Sequence, residues 1–302
     1  MRRQHAAYLY AAAAVLFWST VASAFKITLR HADVLQLLLV SSCTSLIVLL
    51  GIVAARGDWK RYREWNRADV SMSALLGFLN PGLYYLVLFR AYFLLPAQEA
   101  QSLNYTWPVV LVLFSIVFLR QRIRLVTFVA LLISFAGAFI ISTRGDVAGL
   151  NFTDTEGIFL ALGSTLIWSA YWTLNTRDKK EPVARLALNF AFGCAYIVLY
   201  LLFFHGISLP GPAGIAGSMY AGVFEMGVTF VFWLRALRLS SSTAKVSGLV
   251  YLTPFLSLVV IHFVVGEEIF PSTAVGLGLI ITGIVLQQYG GGIIDRLRSG
   301  HQ

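Results

Sequence analysis

The sequence predicts an all-α membrane protein with ten transmembrane helices, arranged as two inverted repeats of five helices, with both termini in the cytoplasm. Three observations lead to this fold class. The chain of 302 residues is 58% hydrophobic and 12% charged, against about 45–50% and about 25% in soluble domains. It contains ten apolar stretches of roughly the 20 residues that cross a bilayer. Its two halves also repeat each other at a nearly constant spacing.

The ten apolar stretches are separated by short polar loops. We place the helices near residues 6–25, 33–55, 70–91, 96–119, 123–142, 157–175, 182–204, 213–236, 243–265 and 270–289. Arg2 and Arg3, followed by an apolar run, also resemble a signal peptide. However, Trp18-Ser19 has a counterpart in Trp168-Ser169. We therefore expect the first helix to belong to the repeat and to stay in the protein.

The basic residues predict the orientation of the helices. Nineteen of the 23 Lys and Arg residues fall in segments on the side of the N-terminus, and only Lys26, Arg30, Arg90 and Arg144 fall on the other side. Loops rich in Lys and Arg stay in the cytoplasm, so both termini are expected there. This placement accounts for the net charge of +9, and we expect no nucleic-acid partner.

The repeat divides the chain into two similar parts. An offset of 146 lays Tyr105 and Pro108 on Tyr251 and Pro254. Because each repeat has an odd number of helices, the second copy must enter the membrane from the opposite side. We expect a first repeat at residues 1–145, a connecting periplasmic loop at 146–156, a second repeat at 157–291 and a cytoplasmic tail at 292–302.

The first helix of the second repeat carries clustered aromatic residues. Trp168 and Trp172 are four residues apart and so share one face of the helix. They either pack against neighbouring helices or form the aromatic wall of a cavity, and both interpretations stay open. The second helix of each repeat has few polar groups and is expected to serve as scaffold.

The third helix of each repeat carries a polar residue near its middle. An offset of 145 lays Asn80 on Glu225, and Tyr84 lies one turn beyond Asn80. A charged carboxylate at the centre of a bilayer costs at least about 2.5–3.5 kcal/mol, so such groups usually face a cavity or a partner. Alternatively, Glu225 is protonated and bonded to a neighbouring helix. Pro81 removes a backbone donor and should loosen the helix.

The fourth helix of each repeat carries a proline near its middle and polar residues on one face. Gln98, Gln101, Tyr105 and Pro108 follow at spacings of three and four, which is one stripe of a helix. Pro108 and its counterpart Pro254 predict two kinks near the midplane, which act as hinges or serve helix packing. In the last helix of each repeat, glycines at positions 137, 276, 278 and 283 permit close helix approach.

The sequence offers no site for catalysis. Cys43 and Cys194 lie in apolar helices, where cysteine behaves as a small hydrophobe, and no zinc motif, nucleophile elbow or phosphate loop is present. We therefore expect no enzyme, no metal and no cofactor.

Together these residues resemble the EamA type of the drug/metabolite transporter superfamily over the whole chain. The resemblance rests on Trp-Ser in the first helix of each repeat and on the segment from Leu234-Arg235-Ala236 through Gly266-Glu267 to Gly283. The first repeat departs from the pattern, since it has Arg120-Gln121 where the acidic pair is expected. The segments 80–85 and 105–108 are most similar to bacterial aromatic amino-acid exporters of the YddG type.

The resemblance implies a multi-pass protein of the bacterial inner membrane that exports aromatic and hydrophobic amino acids by alternating access. The range of other amino acids stays open. An exporter of lipophilic cations from the same superfamily is the alternative. We expect a monomer or homodimer. The residues predicted to contact the substrate are Asn80, Tyr84, Gln98, Gln101, Tyr105, Trp107, Trp168, Trp172, Glu225 and Tyr251.

Overall fold

The computed structural model describes residues 2–119, 125–149, 152–175, 178–240 and 248–299. In these residues the regular structure is entirely helical, as predicted, and contains no strand. Among the described residues, six stretches are long and apolar enough to cross a membrane: Arg3–Thr28, Val34–Ala55, Arg67–Leu94, Thr155–Asn175, Pro182–Phe204 and Pro212–Leu239. Three further helices in this part of the chain are apolar but shorter, at Phe128–Ser142, Leu249–Val265 and Pro271–Leu286. The chain is thus a multi-pass membrane protein.

The first half of the chain contains seven α-helices among its described residues. They are α1 (Arg2–Thr28), α2 (Val34–Ala55), α3 (Arg67–Gly77), α4 (Tyr84–Leu94), α5 (Ala97–Asn104), α6 (Trp107–Leu119) and α7 (Leu125–Ser142). A 3-10 helix (Asp58–Glu64) precedes α3, and a π-helical turn (Phe78–Leu83) joins α3 to α4. We call the end of the bundle at which α1 begins the near end, and the opposite end the far end.

The second half contains six α-helices among its described residues. They are α8 (Thr155–Asn175), α9 (Pro182–Phe204), α10 (Pro212–Phe224), α11 (Val228–Leu239), α12 (Thr253–Val260) and α13 (Pro271–Ser299). A 3-10 helix (Gly248–Leu252) leads into α12, and a π-helical turn (Ile261–Val265) follows it.

Local sequence explains where several helices begin. Asp33 and Asn66 each accept a hydrogen bond from the backbone N–H three residues later and form a capping box, at the starts of α2 and α3. Pro182 is the first residue of α9, a position at which a backbone N–H would have no partner within the helix. Glu181 caps the same end. Such caps satisfy the first N–H groups of a helix. The helix starts are therefore fixed by residues at the ends of the apolar stretches.

The membrane-crossing segments are interrupted more often than the sequence indicated. Asn80 has non-helical backbone angles, φ −145° and ψ 115°, as its neighbour Pro81 suggested. The stretch predicted near 213–236 corresponds to the apolar span Pro212–Leu239, but it is interrupted, because α10 ends at Phe224 and α11 begins at Val228. Gly227 has backbone angles of φ −107° and ψ −95°, which no helix contains. Glu225 thus follows a helix end rather than lying in mid-helix.

The two prolines predicted as kinks stand at the beginning of new helices. Pro108 is the second residue of α6, after a turn at Tyr105 and Thr106, and Pro254 is the second residue of α12. Proline is tolerated there because the first N–H groups of a helix have no partner within it. The segment of Pro108 is therefore interrupted by a turn just before the proline, whereas at Pro254 a 3-10 helix passes directly into α12. A role of Pro108 and Pro254 as hinges stays a prediction.

The two halves pack on each other through matched helices. From the first half, α1 packs on α10, α11 and α12, and from the second half, α8 packs on α4, α5 and α6. In addition, α2 packs on α9 and α7 packs on α13. Thus α1 and α8 each run along the interrupted segments of the other half, and the space between the halves is bordered by helix breaks.

The near end is held by a buried arginine. Arg185, which is 3% exposed, donates to the hydroxyl of Ser73 at 2.6 Å and to the carboxylate of Asp178, and it stacks on the ring of Trp65 at 4.4 Å. From the sequence, the basic residues on the side of the N-terminus, including Arg185, were used only to orient the helices. This residue instead joins α9 to α3.

Helices α7 and α13 approach each other closely at two facing glycines. A Cβ atom added to Gly137 would overlap the carbonyl oxygen of Gly276, and one added to Gly276 would overlap that of Gly137. Backbone approach of this kind requires glycine at the crossing. By contrast, a Cβ atom added to Gly163 in α8 would have no other atom within 4 Å.

We expect Gly137→Ala to lower the thermal stability of the purified protein, since the added methyl forces α7 from α13 and such overpacking costs about 1–3 kcal/mol. Gly163→Ala is the matched control, and it should leave the melting temperature unchanged or raise it, because alanine favours helix over glycine by up to about 1 kcal/mol. Thermal unfolding in detergent measures both variants. Equal melting temperatures would contradict the contact.

Candidate functional site

A cavity of about 330 Å³ lies between the two halves, and we call it the central cavity. Its lining contains 11 aromatic residues, namely Trp18, Phe25, Tyr84, Tyr92, Tyr105, Trp107, Trp168, Trp172, Phe230, Trp233 and Tyr251. The polar lining residues are Gln101, Asn104 and Glu225, and the rest are Pro108 and aliphatic side chains. Small-molecule sites commonly combine such an apolar lining with a few polar groups, in roughly 300–1,000 Å³.

The aromatic wall is centred on Trp168. Its ring stacks on Tyr84 with centroids 4.5 Å apart and meets Trp172 edge-on at 5.8 Å. The ring centroid of Phe230 lies 6.0 Å from that of Trp168 and 5.9 Å from that of Trp18. The contacting rings therefore extend from the second half of the chain to the first. Offset-stacked and edge-on pairs are the preferred aromatic geometries. The wall is therefore a packed surface contributed by α1, α4, α8 and α11.

Glu225 is the charged residue of the described lining. Because α10 ends at Phe224, the Glu225 side chain leaves the helix axis at the break and reaches the cavity. Its Oε1 atom accepts a hydrogen bond from the Tyr85 hydroxyl at 3.1 Å. None of the ion pairs among the described residues includes Glu225. The carboxylate thus has a neutral donor on one oxygen and faces the cavity without a cationic partner in this part of the chain.

Two amide side chains of α5 border the same space. Asn104 is the last residue of α5, and its Nδ2 atom donates to the Ser164 hydroxyl at 2.8 Å. The Tyr84 hydroxyl lies 3.4 Å from Asn104 Oδ1. Gln101, one turn earlier, is 5% exposed, and its Oε1 atom has no hydrogen-bond partner. These amides are the neutral polar groups of the cavity.

The structure brings together most of the predicted contact residues. Eight of the ten line the central cavity: Tyr84, Gln101, Tyr105, Trp107, Trp168, Trp172, Glu225 and Tyr251. Pro108 lines it as well, whereas Pro254 does not. Whether these residues bind a substrate stays a prediction.

The other two predicted contact residues, Asn80 and Gln98, do not line the central cavity. Asn80 is fully buried beside Tyr171 and Asn189, where the π-helical turn packs on α8 and α9. Gln98 lies at the far end of α5, in a second cavity. The backbone break at Asn80 turns this residue away from the central cavity, and Gln98 lies one turn closer to the far end than Gln101.

Sequence reasoning missed the contributions of α1 and α11. Trp18 and Phe25 enter the lining from α1, and Phe230, Trp233 and Leu237 enter it from α11. Two signals were available. Trp18 matches Trp168 in the repeat, and the three residues of α11 follow at spacings of three and four, which place them on one helix face.

The far end is closed by contacts around the start of α5. The Glu267 carboxylate accepts from the backbone N–H of Ala97 at 2.8 Å and from that of Gln98 at 3.3 Å. The Gln98 side chain donates to the Glu268 carbonyl at 2.8 Å and accepts from the Phe270 N–H at 2.9 Å. A carboxylate at a helix start is favoured by the unpaired N–H groups and the helix dipole. The loop after α12 is thus fastened to α5.

Further contacts of charged groups strengthen this closure. The Lys26 ammonium donates to the carbonyl oxygens of Tyr92 at 2.9 Å and Leu95 at 2.7 Å, at the end of α4. Glu99 is fully buried and accepts from Arg144 at 2.8 Å and from Thr153 at 3.2 Å. From the sequence, Lys26 and Arg144 were noted only as basic residues on the side opposite the N-terminus, because their partners lie in other helices.

The chain is similar to known transporters along most of its length. An "Uncharacterized transporter" of Clostridium kluyveri is 25% identical over 92% of this chain and 92% of its own. A "Probable terminal-alkyne amino-acid exporter" of Streptantibioticus cattleyicolor is 28% identical over 90% of each chain. The "Aromatic amino acid exporter YddG" of Ancylobacter novellus is 26% identical over 89% of this chain and 92% of its own.

A solved crystal structure shares the fold, with a TM-score of 0.62 and 24% identity over 93% of this chain and 95% of its own. The model of the EamA-like transporter family matches residues 5–143 and again residues 155–287. These two matches cover nearly the whole chain. The protein therefore belongs to the EamA-like transporter family.

Proposed function

We propose that this chain exports amino acids from the bacterial cytoplasm across the inner membrane, with aromatic and hydrophobic amino acids as its main substrates. The observation that carries the proposal is the central cavity, in which a mostly aromatic lining surrounds one carboxylate, Glu225. Two relatives named as amino-acid exporters, at 26% and 28% identity, support the same substrate class.

The proposed binding mode follows from the distribution of polar groups. The side chain of the substrate packs on the Trp168 and Tyr84 rings, and its ammonium group pairs with Glu225. The substrate carboxylate then faces the neutral amides of Gln101 and Asn104. A carboxylate counter-ion and aromatic faces both attract an ammonium group.

The proposed mechanism is alternating access, in which the two repeats rock around the central cavity. We assign ten membrane helices in two inverted repeats, with the near end in the cytoplasm, as the basic loops indicate. The lining reaches Trp172 and Leu237, close to the near-end termini of α8 and α11, while the far end is fastened. This arrangement corresponds to a state that is closed at the far end. Monomeric or homodimeric assembly stays a prediction.

Export of lipophilic cations is the second candidate. The aromatic lining and Glu225 suit such cations as well. The central cavity has a volume of about 330 Å³, at the lower end of the range for ligand sites. This size favours a substrate as small as an amino acid. A carrier of phosphorylated metabolites is not favoured, since the described lining contains no Lys or Arg.

Efflux from liposomes that contain the purified protein tests this function. We expect phenylalanine, tyrosine or tryptophan to leave these liposomes faster than empty ones. Viologen-like cations and a nucleotide sugar serve as competing cargoes. Flux of the cations without any amino-acid flux would favour the second candidate, and flux of none of them would overturn the transport proposal.

The aromatic wall should be needed for this flux. Trp168→Ala and Tyr105→Ala each remove a ring from the cavity, and aromatic pairs contribute about 0.5–1.5 kcal/mol beyond the area they bury. We expect each variant to lower amino-acid efflux at least about tenfold. Trp59→Ala is the matched control, because Trp59 is 49% exposed and lies in the 3-10 helix at the near end. Unchanged efflux in both cavity variants would remove the aromatic site.

The contacts of Glu267 and Gln98 should keep the far end shut. A single cysteine is introduced as Tyr92→Cys in a protein whose Cys43 and Cys194 are replaced by serine. Loss of a charge-assisted hydrogen bond costs about 1.5–3 kcal/mol, so Glu267→Ala should speed labelling by an impermeant thiol reagent from outside roughly tenfold or more.

Glu156→Ala is the matched control for the far end. Glu156 pairs with Arg90 at 3.1 Å, and 59% of the Glu156 side chain is exposed, so this pair contributes little. Labelling in Glu156→Ala should match the parent protein. Equal labelling rates in Glu267→Ala and Glu156→Ala would show that the far end is held by other contacts.

A further inference from the structure

The central cavity offers unequal partners to the two charged groups of an amino acid. Glu225 presents its carboxylate at the break between α10 and α11, where the Tyr85 hydroxyl holds one oxygen at 3.1 Å. The lining around it is aromatic on both halves. A substrate ammonium group would therefore meet a carboxylate and several ring faces, both of which attract cations.

The substrate carboxylate has no matching partner in the described lining. Among the residues that the structure describes, the lining contains no Lys, Arg or His. Lys26 directly follows the lining residue Phe25 in the sequence. Its ammonium group, however, donates hydrogen bonds to the carbonyl oxygens of Tyr92 and Leu95 at the far end. It lines the second cavity instead. A carboxylate in the central cavity would thus lose its water without gaining a cation.

The neutral amides compensate this loss only in part. One N–H of Asn104 is already donated to Ser164 at 2.8 Å. The buried Gln101 Oε1 atom has no partner and, as an acceptor, is of no use to a carboxylate. Neutral hydrogen bonds are roughly half as strong as charge-assisted ones, whereas the desolvation of a buried charge is costly unless it is paired. The negative charge of Glu225 adds repulsion.

We propose that the central cavity recognises the ammonium group and not the carboxylate, and so binds arylalkylamines more tightly than amino acids with the same ring. An arylalkylamine such as phenethylamine keeps the ring and the ammonium group of phenylalanine and lacks its carboxylate. The inference rests on the proposed function, since it concerns the substrate range of that same cavity. It predicts a transporter that also removes aromatic amines from the cell.

A series of four ligands of one ring size tests the inference on the full-length protein. Phenethylamine, phenylalaninamide, phenylalanine and 3-phenylpropionate are titrated at pH 7 in detergent, and binding is measured by calorimetry. We expect phenethylamine and phenylalaninamide to bind at least about tenfold more tightly than phenylalanine, because they leave no carboxylate unpaired. The acid 3-phenylpropionate should show no binding.

Variants assign the preference to Glu225. Glu225→Gln keeps the size of the side chain and removes its charge, so the affinity for phenethylamine should fall at least about 30-fold, as for a buried charge pair that loses one partner. The preference over phenylalanine should disappear. Glu156→Gln, at an exposed carboxylate of the far end, is the matched control and should bind all four ligands as the parent protein does.

The outcomes separate this inference from the proposed function. If phenylalanine binds and phenethylamine does not, or if 3-phenylpropionate binds as tightly as phenethylamine, the inference is overturned while amino-acid export stands. If the amines bind and no amino acid does, the inference holds and amino-acid export fails. If none of the four ligands binds, both are overturned. The ligand series on the parent protein decides these cases even if Glu225→Gln does not fold.

Discussion

Backbone groups inside a membrane have no water to bond to, and this constraint governs where the helices of this chain can break. The breaks lie inside the protein, where side-chain hydroxyls take up freed carbonyl oxygens. Thr229 donates to the Phe224 carbonyl at the end of α10, and Thr106 donates to the Leu103 carbonyl at the end of α5. Ser169 of α8 reaches the Trp107 carbonyl at 3.0 Å. At the breaks after α5 and α10, a hydroxyl from the same segment or from the facing half thus bonds to the backbone.

The same breaks create the site. A continuous helix would carry Glu225 along a packed face, whereas the end of α10 directs it into the space between the halves, beside Tyr85. Asn104 likewise ends α5 and faces α8. The repeat therefore supplies equivalent breaks, but their side chains have diverged. Asn80, at the position equivalent to Glu225, is buried between α8 and α9, so Glu225 is the single charged residue of the described lining.

Much of the fold could be predicted, because the length of an apolar stretch and the charge of its loops are visible in the local sequence. These two properties decide which segments cross the bilayer and in which direction. The cavity was predictable in part, since polar and aromatic residues in mid-membrane must face protein or a cavity. The direction of a side chain after a helix break depends on contacts with other helices and not on the local sequence. For this reason Asn80 was misplaced. Glu267 caps α5 from about 170 positions away in the chain. The local sequence around either residue therefore does not predict this contact.

Helix α5 connects the cavity to the closure of the far end. It is only eight residues long, between Pro96 and the turn at Tyr105. Its first turn carries Gln98 and the buried Glu99, which hold the far end, and its last turn carries Gln101 and Asn104, which face the cavity. A helix this short moves as one body, because its hydrogen bonds link each turn to the next. A substrate that shifts Asn104 must therefore also shift the groups that bind Glu267 and Phe270. The groups proposed to contact the substrate and the groups that fasten the far end thus lie on one eight-residue helix.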